Sequence, residues 1–120
     1  MHSISIVIPV FNEAGNVTKL FAEIEEVCQG NQFTYEVIFV DDHSTDGTLE
    51  ELRKLNPVKI IVFRKNFGQT QAMDAGIKAA QYPLIVTMDG DGQNDPADMP
   101  KMIDHLIQNK YDLVSVWGKK

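Results

Sequence analysis

The stretch Ile4-Ser5-Ile6-Val7-Ile8-Pro9-Val10, running straight into Phe11-Asn12-Glu13, decides the fold. Ile4, Ile6, Ile8 and Val10 fall on one side of an extended chain and Ser5, Val7 and Pro9 on the other, so this is a largely buried strand that ends in polar residues. The period then changes. Val17, Leu20, Phe21, Ile24, Val27 and Cys28 recur at helical spacing and share one face. Outward from there the alternation continues. Residues 35–40 read as a strand, Leu49, Leu52 and Leu55 mark a helix, and residues 58–63 read as a third strand. Residues 68–81 form a helix of small residues and 84–88 a fourth strand. Met99, Met102, Ile103, Leu106 and Ile107 give a helix before a strand at 113–117. Five strands, with a helix between each and the next, predict a parallel, doubly wound, Rossmann-like α/β sheet with right-handed crossovers, in one domain over residues 1–120.

Composition bounds the function. With 43% hydrophobic and 23% charged residues the 120-residue chain has the make-up of an ordinary globular domain. A net charge of -6 argues against nucleic acid as a partner, because a phosphate-tracking surface is normally basic. An anionic ligand would need local help from a metal ion, helix N-termini or a few placed cations. The single cysteine, Cys28, lies on the apolar stripe of its helix and reads as a core residue. No apolar run approaches the roughly 20 residues that cross a bilayer, and the Met1-His2-Ser3 start lacks a signal-peptide layout, so the expected location is the cytoplasm.

In an open parallel sheet, ligands sit beyond the carboxyl ends of the strands. The first strand ends in Phe11-Asn12-Glu13, the second in Asp41-Asp42, the third in Arg64-Lys65-Asn66 and the fourth in Asp89-Gly90-Asp91. All four clusters therefore belong to one edge, and the amino ends show no comparable grouping. Asp89 and Asp91, with Gln93, lie on one side of an extended segment and can face a single hard cation. Asp41 and Asp42 are placed for ribose hydroxyls or a base N–H. Phe11 offers a flat face to a nucleobase, with Asn12 and Glu13 beside it. Arg64 and Lys65 can balance a diphosphate, and the helix opening at Gly68 has N–H groups suited to phosphate.

Several of these residues have structural readings as well. Asp42-His-Ser-Thr-Asp46-Gly47 imitates the opening of a calcium loop, but Arg53 stands where the bidentate glutamate should be. Ser44, Thr45, Asp46 or Thr48 can instead cap the helix carrying Leu49 and Leu52. Asn12 and Glu13 can cap the first helix. Asp95, with Pro96 next and Asp98 three residues on, reads as a helix start. His43 is assigned no role. The Asp-Gly pairs in Asp89-Gly-Asp-Gly92 also suit a tight turn.

Ile8-Pro-Val-Phe-Asn-Glu13, Val40-Asp-Asp-His-Ser-Thr-Asp-Gly-Thr48, Arg64-Lys-Asn-Phe-Gly68 and Met88-Asp-Gly-Asp-Gly-Gln-Asn-Asp-Pro96 together resemble the successive motifs of the family-two glycosyltransferases. The Asn-Phe-Gly-Gln segment and the last phrase are most similar to polyprenyl-phosphate sugar transferases of the dolichyl-phosphate mannose synthase type. The resemblance implies a glycosyltransferase A-type fold, a UDP- or GDP-linked sugar donor and Mg2+ or Mn2+ on the donor diphosphate. It also implies inversion at the anomeric carbon, a lipid phosphate acceptor and, in longer members, docking on the cytoplasmic face of a membrane. By motif position, residues Pro9 to Glu13 and Asp41-Asp42 would contact the nucleoside, with Asp42 reading the base. Asp91 would be the principal metal ligand with Asp89 and Gln93 close by, which makes Asp89 and Asp91 the catalytic carboxylates. A typical member continues past the position of Lys120 into an acceptor-binding half, so residues 1–120 would be the nucleotide-sugar-binding portion. Two other readings stand beside this one. A receiver-type signalling domain places its acids after strands one and three, not two and four. A nucleotide-binding module without transfer activity shares every feature above.

Overall fold

The structure, a computed structural model, describes residues 2–90, 95–108 and 113–114. The elements follow the expected alternation. Strand β1 (Ser3–Val10) leads to α1 (Val17–Gly30), β2 (Thr34–Asp41) to α2 (Thr48–Arg53), and β3 (Lys59–Val62) to α3 (Gln69–Ala79). Strand β4 (Leu84–Thr87) is followed by a 3-10 turn (Pro96–Asp98), α4 (Met99–Gln108) and β5 (Leu113–Val114). The strands form one sheet in the order β3-β2-β1-β4-β5, and every pairing is parallel. The last strand was expected over 113–117; residues 115–117 lie outside the described residues.

The two faces of β1 fill two cores. Ile4, Ile6, Ile8 and Val10 join Val37 and Phe39 of β2 under α1, with Leu52 of α2 and Met99 and Ile103 of α4 completing that side. Val7 joins Ile38, Val40 and Ala72 on the opposite side, under α3. The helix changes face because the chain changes direction. From β1 to β3 it steps one way across the sheet, whereas α3 returns it past β2 and β1 to β4, and a right-handed crossing in that sense lies on the other face. Contact between α3 and the sheet is close: a Cβ at Gly76 would collide with the Val7 side chain and stand 3.2 Å from a Val40 methyl. Cys28 is fully buried with α1, and burial pushes its thiol up to about 12, the behaviour of a small core residue.

Some local expectations change. The second helix stops at Arg53, before Leu55, because Asn56 precedes Pro57 and the residue before proline is pushed out of the helical region. Leu55 still packs against the core from the loop. The amino edge is also not bare. Ser5 Oγ donates to Glu36 Oε2 at 2.6 Å, the Gln81 N–H donates to the same oxygen at 2.7 Å, and Lys59 Nζ lies 2.8 Å from Oε1. Burial alone would raise the Glu36 carboxyl, but the Gln81 amide, Lys59 and Ser5 outweigh it and hold the group below the ordinary glutamate range. This cluster pins the α3–β4 connection to the sheet, since the Tyr82 N–H also donates to Ser5 Oγ at 3.1 Å.

Candidate functional site

A cavity of about 660 Å³ opens at the carboxyl edge of the sheet, beside β1, where the strand order reverses. Strand β1 and the segment after it supply Pro9, Val10, Phe11 and Glu13. The end of β2 supplies Asp42, the approach to α3 supplies Asn66 and Gly68, α3 itself supplies Gln69 and Ala72, and the end of β4 supplies Asp89 and Gly90. Of the residues singled out in the sequence, Pro9, Phe11, Glu13, Asp42, Gly68 and Asp89 thus share one space. Phe11 is 44% exposed and lines the cavity, so part of its ring is open to a ligand there.

The wall carrying Phe11 and Glu13 is held by the neighbouring β2–α2 loop. The Asn12 N–H donates to Ser44 Oγ at 2.9 Å, the Glu13 N–H to Thr48 Oγ1 at 2.8 Å and the Ala14 N–H to Asp46 Oδ2 at 3.2 Å. Asn12, in the left-handed region at φ 55, accepts from the Thr45 N–H at 2.7 Å, so its side chain turns to that loop and not to the cavity. Asp46 takes the capping task foreseen for the loop, accepting from the Thr48 N–H at 2.9 Å. Asn12 and Glu13 do not cap α1. That role falls to Glu51 of α2, which accepts from the Gly15 and Thr18 N–H groups and the Thr18 hydroxyl. Desolvation would raise the Glu51 carboxyl, yet these donors prevail and lower it.

Asp41 and Asp42 are separated by the strand's alternation. Asp41 is buried on the α1 side, where its Oδ1 accepts from the Ser44 hydroxyl and, at 3.3 Å, from the Ser44 N–H; it does not line the cavity. Asp42 faces the α3 side. Its Oδ1 accepts from the Phe67 N–H at 2.7 Å and its Oδ2 from the Gly68 N–H at 2.9 Å, a two-pronged clamp on the turn that starts α3. Gly68 sits at φ 97, a backbone state that glycine adopts without a Cβ penalty. The N–H at Gly68 is thus engaged by Asp42, and among the described residues the N–H groups of the first turn, Gln69 to Gln71, meet no acceptor.

Arg64 and Lys65 are exposed and do not line the cavity. Lys65 Nζ lies 5.1 Å from the centre of the Phe67 ring, which meets Phe63 edge-on. Asn66 and Gln69 do line it: Asn66 stood in the polar cluster after the third strand without a role of its own, and Gln69 was not singled out. Their signal was present in the Asn66-Phe-Gly-Gln69 motif. The Asn66 amide donates to the Asp42 carbonyl at 3.3 Å, and Gln69 Nε2 donates to Asp89 Oδ1 at 3.1 Å.

The β4 end fits tightly against β1. A Cβ at Gly90 would stand 2.5 Å from a Val10 methyl, 3.3 Å from the Pro9 carbonyl oxygen and 3.5 Å from Glu13 Cγ. Glu13 is therefore adjacent to the segment carrying Asp89, and the cavity wall presents carboxylate oxygens of the kind that a hard cation such as Mg2+ or Mn2+ takes. Asp91 and Gln93 lie outside the described residues; among the described residues no group of three or more His, Cys, Asp or Glu side chains is gathered as a metal site. Asp95 starts the 3-10 turn, accepting from the Ala97 N–H at 3.0 Å with Pro96 following.

The model of the family described as "Glycosyl transferase family 2" matches residues 5–120. The dodecaprenyl-phosphate galacturonate synthase of Rhizobium johnstonii is 42% identical over 97% of this chain and 36% of its own length. The dolichol-phosphate mannosyltransferase of Pyrococcus furiosus is 38% identical over 92% of this chain and 31% of its own length. Among solved structures, the mannosyltransferase PcManGT of Pyrobaculum calidifontis, in complex with GDP-Man and Mn2+, superposes with a TM-score of 0.75 over 86% of this chain and 32% of its own, at 23% identity. The fold is that of the glycosyltransferase A-type enzymes. This chain spans about a third of the length of the relatives it matches. On the evidence of the family model and these relatives, the chain belongs to glycosyl transferase family 2.

Proposed function

We propose that residues 1–120 are the nucleotide-sugar-binding portion of a glycosyltransferase that transfers a sugar, with inversion, from a UDP- or GDP-linked donor to a polyprenyl phosphate. The observation that carries this reading is the cavity at the carboxyl edge, where Phe11, Asp42, the start of α3 and Asp89 meet. Phe11 stacks on the base, and Asp42 accepts from a base or ribose donor while keeping its hold on the Phe67 and Gly68 amides. The diphosphate lies along the first turn of α3, whose open N–H groups favour anions. Arg64 and Lys65, outside the cavity wall, act at longer range on the same charge.

Asp89, with Asp91 and Gln93 following it in the chain, would hold Mg2+ or Mn2+. When bound, the metal withdraws charge from the leaving diphosphate and fixes its position. The chain's own residues do the rest: they orient the donor, and Pro9, Val10 and Ala72 line the floor that limits water around it. The relatives, a dodecaprenyl-phosphate galacturonate synthase and a dolichol-phosphate mannosyltransferase, support a lipid phosphate acceptor, and such an acceptor would place the enzyme at the cytoplasmic face of a membrane. No helix among the described residues is long and apolar enough to cross a membrane. A second reading, donor binding without transfer by this chain alone, is favoured by its covering about a third of its relatives' length.

The test is amide chemical-shift mapping with GDP or UDP and Mg2+. Shifts should concentrate at residues 11–13, 66–72 and 89–90. Shifts confined to α1 or α4, or none up to millimolar nucleotide, would refute the assignment of this cavity.

A further inference from the structure

Phe11 is placed by its backbone and not by packing. Its ring is half-exposed and belongs to neither core. The next residue, Asn12, takes a left-handed φ of 55, which a residue other than glycine holds only where its surroundings impose it. The groups that impose it come from residues 42–48. Before the ring, the Val10 carbonyl accepts from the Asp42 N–H at 2.9 Å. After it, the Asn12 N–H donates to Ser44 Oγ at 2.9 Å and the Glu13 N–H to Thr48 Oγ1 at 2.8 Å, while Asn12 Oδ1 accepts from the Thr45 N–H at 2.7 Å.

The two hydroxyls are themselves oriented. Ser44 Oγ donates to Asp41 Oδ1, and Thr48 Oγ1 donates to Asp46 Oδ1. A hydroxyl has one hydrogen, so once that is given to a carboxylate only lone pairs remain to meet an amide. The same chain of carboxylate, hydroxyl and amide therefore occurs twice in succession, as Asp41–Ser44–Asn12 and as Asp46–Thr48–Glu13. Asp41 and Thr48 are buried, and none of Asp41, Ser44, Asp46 and Thr48 lines the cavity.

We propose that Ser44 and Thr48 are positioning residues for the nucleobase: their carboxylate-oriented hydroxyls fix the peptide planes on either side of Asn12 and so hold the Phe11 ring at the angle on which a base stacks. This rests on the donor-binding reading above, and it makes the β2–α2 loop a determinant of nucleoside affinity that does not touch the ligand. Without one of the hydroxyls the turn after Phe11 loosens, and the ligand must re-impose the stacking geometry. A loss of roughly 5-fold in affinity, the low end of base–aromatic stacking, is the effect expected.

The experiment measures GDP and UDP affinity of the 120-residue chain by calorimetry with Mg2+, well below the Tm of every protein compared. The set is wild type, Ser44→Ala, Thr48→Val, the hydroxyl-retaining Ser44→Thr and Thr48→Ser, and Phe11→Ala alone and combined with each hydroxyl deletion. Ser44→Ala and Thr48→Val should each weaken binding about 5-fold, and the hydroxyl-retaining variants should bind within about 2-fold of wild type. In the Phe11→Ala background neither deletion should cost more, because no ring is left to place. Ser44 is half-buried, so Ser44→Ala tests the claim even if Thr48→Val fails to fold. Affinity unchanged in Ser44→Ala with only Tm lowered, equal losses in the hydroxyl-retaining variants, undiminished binding in Phe11→Ala, or losses that add to that of Phe11→Ala would each overturn the positioning role and leave the donor site standing. Wild type that binds neither nucleotide would overturn the donor-binding reading and this inference with it.

Discussion

Substituting Asp42 by asparagine separates the two tasks that its carboxylate performs. The side chain is 4% exposed and accepts from two backbone donors, at 2.7 Å from Phe67 and 2.9 Å from Gly68. Hydrogen bonds to a charged acceptor contribute about 1.5–3 kcal/mol each, against about 1 kcal/mol for a neutral pair. Asparagine keeps one acceptor oxygen and turns an NH2 group toward the second N–H, so one charged bond weakens to a neutral one and the other becomes a donor facing a donor. The loss should be roughly 3 kcal/mol, equivalent to about 10 °C in Tm for a domain of this size. Urea denaturation gives the stability change, and amide exchange at Phe67 and Gly68 locates it. Nucleotide affinity should fall as well, because the turn that starts α3 loosens. A stability change below about 0.5 kcal/mol with unaltered protection at both amides would refute the clamp. Stability and binding are thus expected to fall together at Asp42, whereas the charge pattern alone suggested a purely ligand-facing carboxylate.

Other substitutions probe separate features. Gly90→Ala places a methyl 2.5 Å from Val10 Cγ1 and 3.3 Å from a backbone oxygen, and should destabilise by about 1–3 kcal/mol in thermal denaturation; an unchanged Tm would contradict the close fit of β4 on β1. Phe11→Ala removes a half-exposed ring, so it should leave stability nearly intact while weakening UDP or GDP binding by about 1–3 kcal/mol, the scale of base–aromatic stacking. Glu36 and Glu51 have folded-state carboxyls lowered from the ordinary 4.5, so their stabilising contribution is present above that pH and is lost as the pH falls through the lowered values. Acid titration of stability should therefore be less steep in Glu36→Gln than in wild type. Residues 1–120 alone should bind donor and form little or no lipid-linked sugar, since transfer needs both reactants oriented; robust transfer in a thin-layer assay would overturn that expectation.

The sheet was legible because its periods are clean. Ile4 to Val10 alternate, Val17 to Cys28 recur at helical spacing, and every polar cluster after a strand had to share one edge once the strands were parallel. The division of labour within that edge was less legible, because side-chain direction flips at each strand residue and hydrogen-bond partners lie far away in sequence. Asp41 and Asp42 look alike in the chain, yet one is buried under α1 against Ser44 and the other clamps a turn 25 residues on. Glu51 looks like an ordinary surface acid and proves to cap α1 across 33 residues. Neutral side chains carried the least signal. Asn66 and Gln69 bear no charge; Asn66 was marked only as a member of the polar cluster after the third strand, and Gln69 only by the motif it shares.

The most direct measurement is the affinity of UDP and GDP for the 120-residue chain by titration calorimetry, in Mn2+ or Mg2+ and again in chelator, for wild type and Asp89→Asn. Saturable one-site binding that weakens on chelation in wild type, and that is already weak and insensitive to chelator in Asp89→Asn, is the expected result. Binding of wild type at full strength in chelator, or equal metal dependence in the two proteins, would contradict a metal-assisted donor site at the end of β4.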